Sequence, residues 1–179
     1  STSGSSDVLE KLGMPLDLTP EQIARAITEV GVGFMFAPVH HSAMRHAIGP
    51  RRELGMRTVF NVLGPLTNPA GVKRQVIGVF TADLCLPLAE VLKVLGTKHA
   101  MIVHSDDGLD EISIAAGTQV TELCDGIIES YHINPEDFSL QRQSLDGLSV
   151  NSVAASADLI HRALAGAVDE PAQKAAAML

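Results

Sequence analysis

The sequence predicts an α/β fold, a parallel or mixed sheet covered by helices, and three observations carry the prediction. The stretch "RQVIGVFTADLCLPLAEVLKVLGTKHAMIVHS" reads as strand, helix and strand in direct succession. Two apolar strands joined by such a crossover pair in parallel, and strands buried on both faces run continuously apolar. The stretch "ISIAAGTQVTELCDGIIESYHI" adds short strands separated by Gly turns, the pattern of an antiparallel extension. Helical segments lie on both sides of these strands, and 179 residues at 46% hydrophobic suffice for the core of one domain, so the whole chain, 1–179, is read as a single partial α/β domain.

Each element follows from local chemistry. Ser5-Ser6-Asp7 can cap a short helix ending near Gly13. In "TPEQIARAITEVG", Thr19 stands at the N-cap, Pro20 at N1, Gln22 at N3 to complete a capping box, and Gly31 closes the helix. The apolar run "GFMFAP" predicts a buried strand, and His41 to Leu54 a helix bent at Gly49-Pro50. The stretch "RTVFNVLGPLTNPAG" starts as a packed element and turns into a segment stiffened by Pro65 and Pro69, expected as an apolar loop without helical or strand spacing. Gln75 to Phe80 is the first strand, buried on both faces. Thr81 or Asp83 caps a helix that runs to Leu95 and ends at Gly96, and His99 to His104 is the second strand. Val150 to Ala165 is an Ala-rich helix, and "PAQKAAAML" a further helical pattern.

A formal charge of -8 argues against non-specific nucleic-acid binding, which needs a basic surface. Cys85 and Cys124 lie in apolar surroundings without CxxC spacing, which predicts buried free thiols in a reducing compartment. With no apolar run near the ~20 residues that span a bilayer, the expected location is the cytoplasm. The polar opening and the uncapped close suggest a piece of a longer chain.

Candidate chemistry concentrates in two places. "HSDDGLDEIS" follows directly on a parallel strand, where ligands of open α/β sheets bind, and carries Asp106, Asp107, Asp110 and Glu111. The adjacent Asp110-Glu111 pair can hold Mg²⁺, which takes oxygen ligands together with substrate phosphates; a solvated acidic turn is the other reading. "HAIGPRRELGMR" gathers Arg45, Arg51, Arg52 and Arg57, whose planar forks match carboxylate or phosphate; an ion-paired surface helix is the alternative. His40, His41 and His46 lack zinc-ligand spacing. "STSGSSD" is a Ser/Gly loop at a helix start, where hydroxyls and amides can meet an anion.

Together, "GFMFAPVHHSAMRHAIGPRRELGMRTVFNVLGPLTNPAG" and "DGLDEIS" resemble the anthranilate phosphoribosyltransferases of tryptophan biosynthesis across essentially the whole chain. The resemblance implies a nucleoside phosphorylase/phosphoribosyltransferase-like catalytic domain. It implies transfer of the phosphoribosyl group from 5-phosphoribosyl diphosphate to anthranilate with Mg²⁺, in a cytoplasmic homodimer. By position it implies that Arg51 binds the anthranilate carboxylate and that His41 and Pro65 line the anthranilate channel. Asp110 and Glu111 match the metal pair, and Ser1 to Ser5, including Ser1 and Ser5 themselves, the end of the diphosphate-wrapping loop.

The family's N-terminal helical domain and Gly-rich diphosphate loop would lie mostly upstream of Ser1, so the 179-residue chain alone is expected to be inactive. Thr2 stands where relatives usually carry Lys, and Ser42 where Pro is common. No general acid, base or nucleophile is singled out, because the anthranilate amine is neutral at pH 7 and positioning can supply much of the rate. A catalytically inactive, nucleic-acid-binding relative is the alternative, which the -8 charge and the retained Arg51, Asp110 and Glu111 disfavour. A pyrimidine nucleoside phosphorylase is a third reading, which the Arg51 and Pro65 segments fit less well.

Overall fold

The computed structural model describes residues 4–40 and 60–178. The expected helix His41 to Leu54 therefore lies outside the described residues. The chain divides into two compact units, one drawn from the residues before Val59 together with Val150–Arg162, the other from Val59–Ser149 with Ala163–Leu179.

In the first unit, α1 spans Ser5–Lys11 and starts one residue earlier than the Ser/Asp pattern implied: Gly4 is the N-cap, and the Asp7 carboxylate accepts from its N–H at 3.0 Å. Helix α2, Pro20–Val30, has the capping box the sequence predicts. Gln22 N–H donates to Thr19 Oγ1 at 3.3 Å, and Thr19 N–H donates back to Gln22 Oε1 at 2.8 Å. Gly31 closes it at a φ of 91°, where a side chain would be strained. The expected strand at "GFMFAP" is not formed. Residues 33–36 pair with no strand, and Ala37–His40 is a helical turn, α3. An apolar run becomes a strand only when a neighbour takes its N–H and C=O groups. Here Gly33 sits against α2 instead, so close that a Cβ would come within 3.0 Å of Ile23 and Ile27.

The second unit is built on a four-stranded mixed sheet of order β1-β2-β3-β4. Strands β1, Arg74–Gly78, and β2, His99–Ser105, are parallel; β3, Thr118–Cys124, and β4, Ile127–Ile133, continue antiparallel. Asp125 and Gly126 join the last two at φ of 46° and 87°, the two-residue turn with both residues left-handed that suits the twist of a hairpin. The crossover from β1 to β2 is α5, Cys85–Val94, entered through a 3-10 turn at Ala82–Leu84. Thr81 precedes that turn, but its hydroxyl makes no capping bond. One sheet face packs on α5 through Ile77, Val79, Ala100, Ile102 and Leu123 against Cys85, Leu88, Ala89 and Leu92.

The opposite face is covered only toward the carboxyl ends of β1 and β2, so β1 is not buried on both faces: Ile77 is 4% exposed and Val76 66%. The same uncovered face explains Cys124, which is exposed rather than buried, whereas Cys85 is fully enclosed and its thiol pKa is pushed up by burial.

The stretch expected to be a loop begins as a helix, α4, Phe60–Leu66, with Pro65 in its last turn. Pro65 has no N–H for the Asn61 carbonyl, and Gly64 has no Cβ to clash with the pyrrolidine ring, so the helix tolerates the proline but ends just after it. The Thr67 hydroxyl donates to the Leu63 carbonyl at 3.0 Å, supplying a partner at the frayed end. Asn68–Gly71 is then a tight turn closed from Gly71 N–H to Asn68 O at 3.0 Å. Two further helices follow the hairpin: α6, Val153–Leu164, begun by Ser152 accepting from Ala155 N–H, and α7, Glu170–Met178. No described helix is long and apolar enough to cross a membrane.

Candidate metal and phosphate site

The acidic segment leaves β2 at Ser105 and returns to the sheet at Thr118. It is held by backbone bonds from Ser105 N–H to Leu109 O at 2.9 Å and from Asp106 N–H to Gly117 O at 2.9 Å. Its four carboxylates have separate environments. Asp106 turns toward β4, 3.7 Å from His132 Nε2. Asp107 is engaged on both oxygens: Oδ2 accepts from Ser113 Oγ at 2.6 Å and Oδ1 from Leu109 N–H at 3.2 Å. Burial opposes its ionisation, but bonds from Ser113, Ser105 and the backbone outweigh that and hold its pKa below the ordinary carboxylate value.

Asp110 and Glu111 remain, both exposed, in the middle of the segment. The Glu111 pKa is raised, first because neighbouring atoms crowd its carboxyl away from water and second by the Asp110 charge beside it. Two like charges held next to each other repel, and a divalent cation between them would relieve that repulsion. The described residues contain no group of three or more His, Cys, Asp or Glu side chains arranged for a metal. A pair of carboxylates still fits Mg²⁺, which keeps waters and completes its shell with substrate phosphates.

The pair is seated against β1. A Cβ built on Gly78, the last residue of β1, would lie 1.7 Å from the Asp110 carbonyl oxygen. Only glycine lets the two backbones approach this closely, and the contact brings the loop over the carboxyl ends of both parallel strands.

The other expected site residues are distributed differently. Arg51, His41 and Ser1 lie outside the described residues, as do Arg45, Arg52, Arg57 and His46. Ser5 is the first residue of α1, in the first unit, and the anionic Asp7 side chain already accepts from the Gly4 amide at that helix start. His40 has a buried Nε2 with no hydrogen-bond partner among the described residues. Pro65 borders a cavity of about 190 Å³ with Leu66, Val72, Gln75, Leu92 and Thr97. These residues mark the amino ends of β1 and β2, so Pro65 and the Asp110-Glu111 pair sit at opposite ends of β1, roughly 13 Å of strand apart at ~3.3 Å per residue.

Sequence reasoning missed Ser113, Gly78 and His104. Ser113 is 4% exposed and lies two residues beyond the acidic pair. His104 Nδ1–H donates to the Val79 carbonyl at 2.8 Å, leaving Nε2 as the basic nitrogen. The exposed face of the sheet carries another polar group: Glu122 accepts from Tyr131 Oη at 2.7 Å and lies 2.6 Å from His99 Nε2.

Over residues 1–179 the chain matches the family described as glycosyl transferase family, a/b domain. It is 63% identical over 176 residues to an anthranilate phosphoribosyltransferase of Cellvibrio japonicus, covering 98% of this chain and 51% of that protein. It is 62% identical over 175 residues to that of Hahella chejuensis, again 98% and 51%. Among solved structures it resembles the Thermus thermophilus anthranilate phosphoribosyltransferase, with a TM-score of 0.83 and 43% identity over 96% of this chain and 50% of that one. It also resembles the Saccharomyces cerevisiae enzyme in complex with PRPP and Mg, with a TM-score of 0.82 and 25% identity over 96% and 50%. The chain thus spans about half the length of the curated relatives it matches. These comparisons support the transferase reading and not the nucleic-acid-binding one.

Proposed function

The chain belongs to the glycosyl transferase family, matching its a/b domain over residues 1–179, and from that premise we propose that it is part of an anthranilate phosphoribosyltransferase acting in tryptophan biosynthesis. In the reaction the ribose C1–oxygen bond of phosphoribosyl diphosphate breaks, and pyrophosphate leaves with the electron pair. The anthranilate amine forms the new C1–N bond and releases its proton to solvent. The observation that carries this reading is the sorting of the acidic loop, in which Asp106 and Asp107 are turned to other partners while Asp110 and Glu111 stay open beside Gly78.

On this reading Asp110 and Glu111 would hold Mg²⁺, and the Saccharomyces cerevisiae relative in complex with PRPP and Mg supports that choice of metal. Mg²⁺ held there would supply positive charge against the departing pyrophosphate. In this proposal Arg51 would bind the anthranilate carboxylate, His41 and Pro65 would serve the acceptor path, and Ser1 and Ser5 would serve the phosphoribosyl diphosphate. Given its place at the amino end of β1, Pro65 serves the far part of the acceptor path and not the reacting atoms. Its stiffness lowers the ordering cost of binding a flat ring. We assign the protein to the cytoplasm as a homodimer, with no nucleic-acid or membrane partner.

The test is steady-state turnover, followed by product fluorescence, in the full-length enzyme that carries these residues. Asp110→Asn combined with Glu111→Gln is expected to remove most Mg²⁺-dependent turnover while circular dichroism shows the fold unchanged. Parental turnover by that variant at limiting Mg²⁺ would return the segment to a solvated acidic turn.

A further inference from the structure

The metal-pair reading assigns roles to Asp110 and Glu111 but none to the side chains that flank them. Asp107 and Ser113 bracket residues 108–112, and the 2.6 Å bond between their side chains closes that stretch into a ring with the acidic pair inside it. Ser113 is itself anchored in the interior. Its N–H donates to Thr118 Oγ1 at 3.2 Å, its Oγ accepts from Ala115 N–H at 2.9 Å, and Thr118 is 1% exposed. Asp107 in turn steadies the Gly108 turn by accepting from Leu109 N–H. The ring rests on β1 where the Asp110 main chain meets Gly78.

Two adjacent carboxylates repel and would swing apart on a free loop. A loop closed at its ends and seated on a strand keeps them together before any cation arrives, so less ordering remains to be done on binding. Outer partners that orient metal ligands commonly affect metal affinity as the ligands themselves do.

We propose that Asp107 and Ser113 are positioning residues, whose side-chain bond sets the spacing of Asp110 and Glu111 for a divalent cation without touching that cation. The proposal rests on the reading of Asp110-Glu111 as the metal pair. The probe is Mn²⁺ alone, in the full-length enzyme, with free Mn²⁺ counted by electron paramagnetic resonance and thermal stability measured in parallel. Asp107→Ala and Ser113→Ala are each expected to weaken Mn²⁺ binding by about tenfold. The double variant is expected to bind more tightly than the product of the two single losses predicts, since one bond is shared between the two side chains. Ser113→Thr, which keeps the hydroxyl, should retain most of the affinity. If Ser113→Ala does not fold, Asp107→Ala alone carries the test, because it removes the acceptor and leaves the Ser113 bonds to Thr118 and Ala115 in place.

Lowered melting temperatures with unchanged Mn²⁺ affinity would overturn the proposal and leave the ring a purely structural feature. Asp110→Asn with Glu111→Gln is the control. If that variant still binds Mn²⁺ normally, the metal-pair reading itself fails; if it does not bind while Asp107→Ala binds normally, only the positioning role fails.

Discussion

Replacing Gly78 by alanine adds one methyl group at the point where β1 meets the acidic loop. The new Cβ would sit 1.7 Å from the Asp110 carbonyl oxygen, and ordinary contact begins at 3.4 Å, so one backbone must retreat by about half of that contact distance. The loop resists, because Ser105 N–H holds Leu109 O at 2.9 Å and Asp107 holds Ser113 at 2.6 Å. The strand resists as well, because β1 is in register with β2 along its whole length. Overpacking against backbone on both sides costs about 1–3 kcal/mol. In a body of this size that lowers Tm by roughly 2–4 °C for each kcal/mol.

The displaced atom belongs to Asp110, so divalent-cation binding should fall together with Tm. Gly117→Ala is the matched comparison. Its Cβ would meet side-chain tips, Asp106 Oδ2 at 2.8 Å and Asn134 Oδ1 at 3.1 Å, which can rotate away at less cost. Differential scanning calorimetry and Mn²⁺ titration on both variants decide the matter. A Gly78→Ala protein with parental Tm and parental Mn²⁺ affinity would refute the close approach and the seating of the metal pair built on it.

Three further outcomes are expected. Arg51→Ala in the full-length enzyme should weaken anthranilate use far more than phosphoribosyl diphosphate use, by about 1.5–3 kcal/mol for a lost charge-assisted contact, and unchanged anthranilate kinetics would remove the assignment. Glu111→Gln should raise Tm slightly at neutral pH in the absence of divalent cation. A carboxyl with a raised folded pKa favours the fold while protonated and loses that contribution as pH rises through its folded pKa, so the amide removes a cost; a fall in Tm would contradict the direction. Tyr131, the only tyrosine, has its pKa pushed up to about 12, first by burial and then by its bond to Glu122. Its contribution to stability is therefore complete below the ordinary tyrosine pKa and lost as pH rises toward 12. Glu122→Gln should bring the tyrosinate absorbance transition down toward the ordinary value.

Much of this protein was legible before its structure because the relevant interactions span only a few residues. The capping box at Thr19 and Gln22, the helix stop at Gly31, a Gly turn between the antiparallel strands and the strand–helix–strand unit from β1 to β2 all follow from chemistry within a turn or an alternation. The acidic pair was likewise visible, as two neighbouring carboxylates after an apolar strand. What sequence could not supply depends on partners distant in the chain. "GFMFAP" has the composition of a strand but no strand beside it among the described residues, and its Gly33 sits against α2. Val76 and Cys124 are apolar, yet the sheet face they occupy is covered at one end only.

The acidic loop shows the same division. Its residues identify four possible ligands, but the separation of Asp106 and Asp107 from Asp110 and Glu111 requires His132, Ser113 and Gly78, each brought there by the sheet. Local propensity and composition act through covalent neighbours and are written in order along the chain. Burial, close approach and the environment of a charge act through space, and only the completed tertiary structure decides which atoms are near.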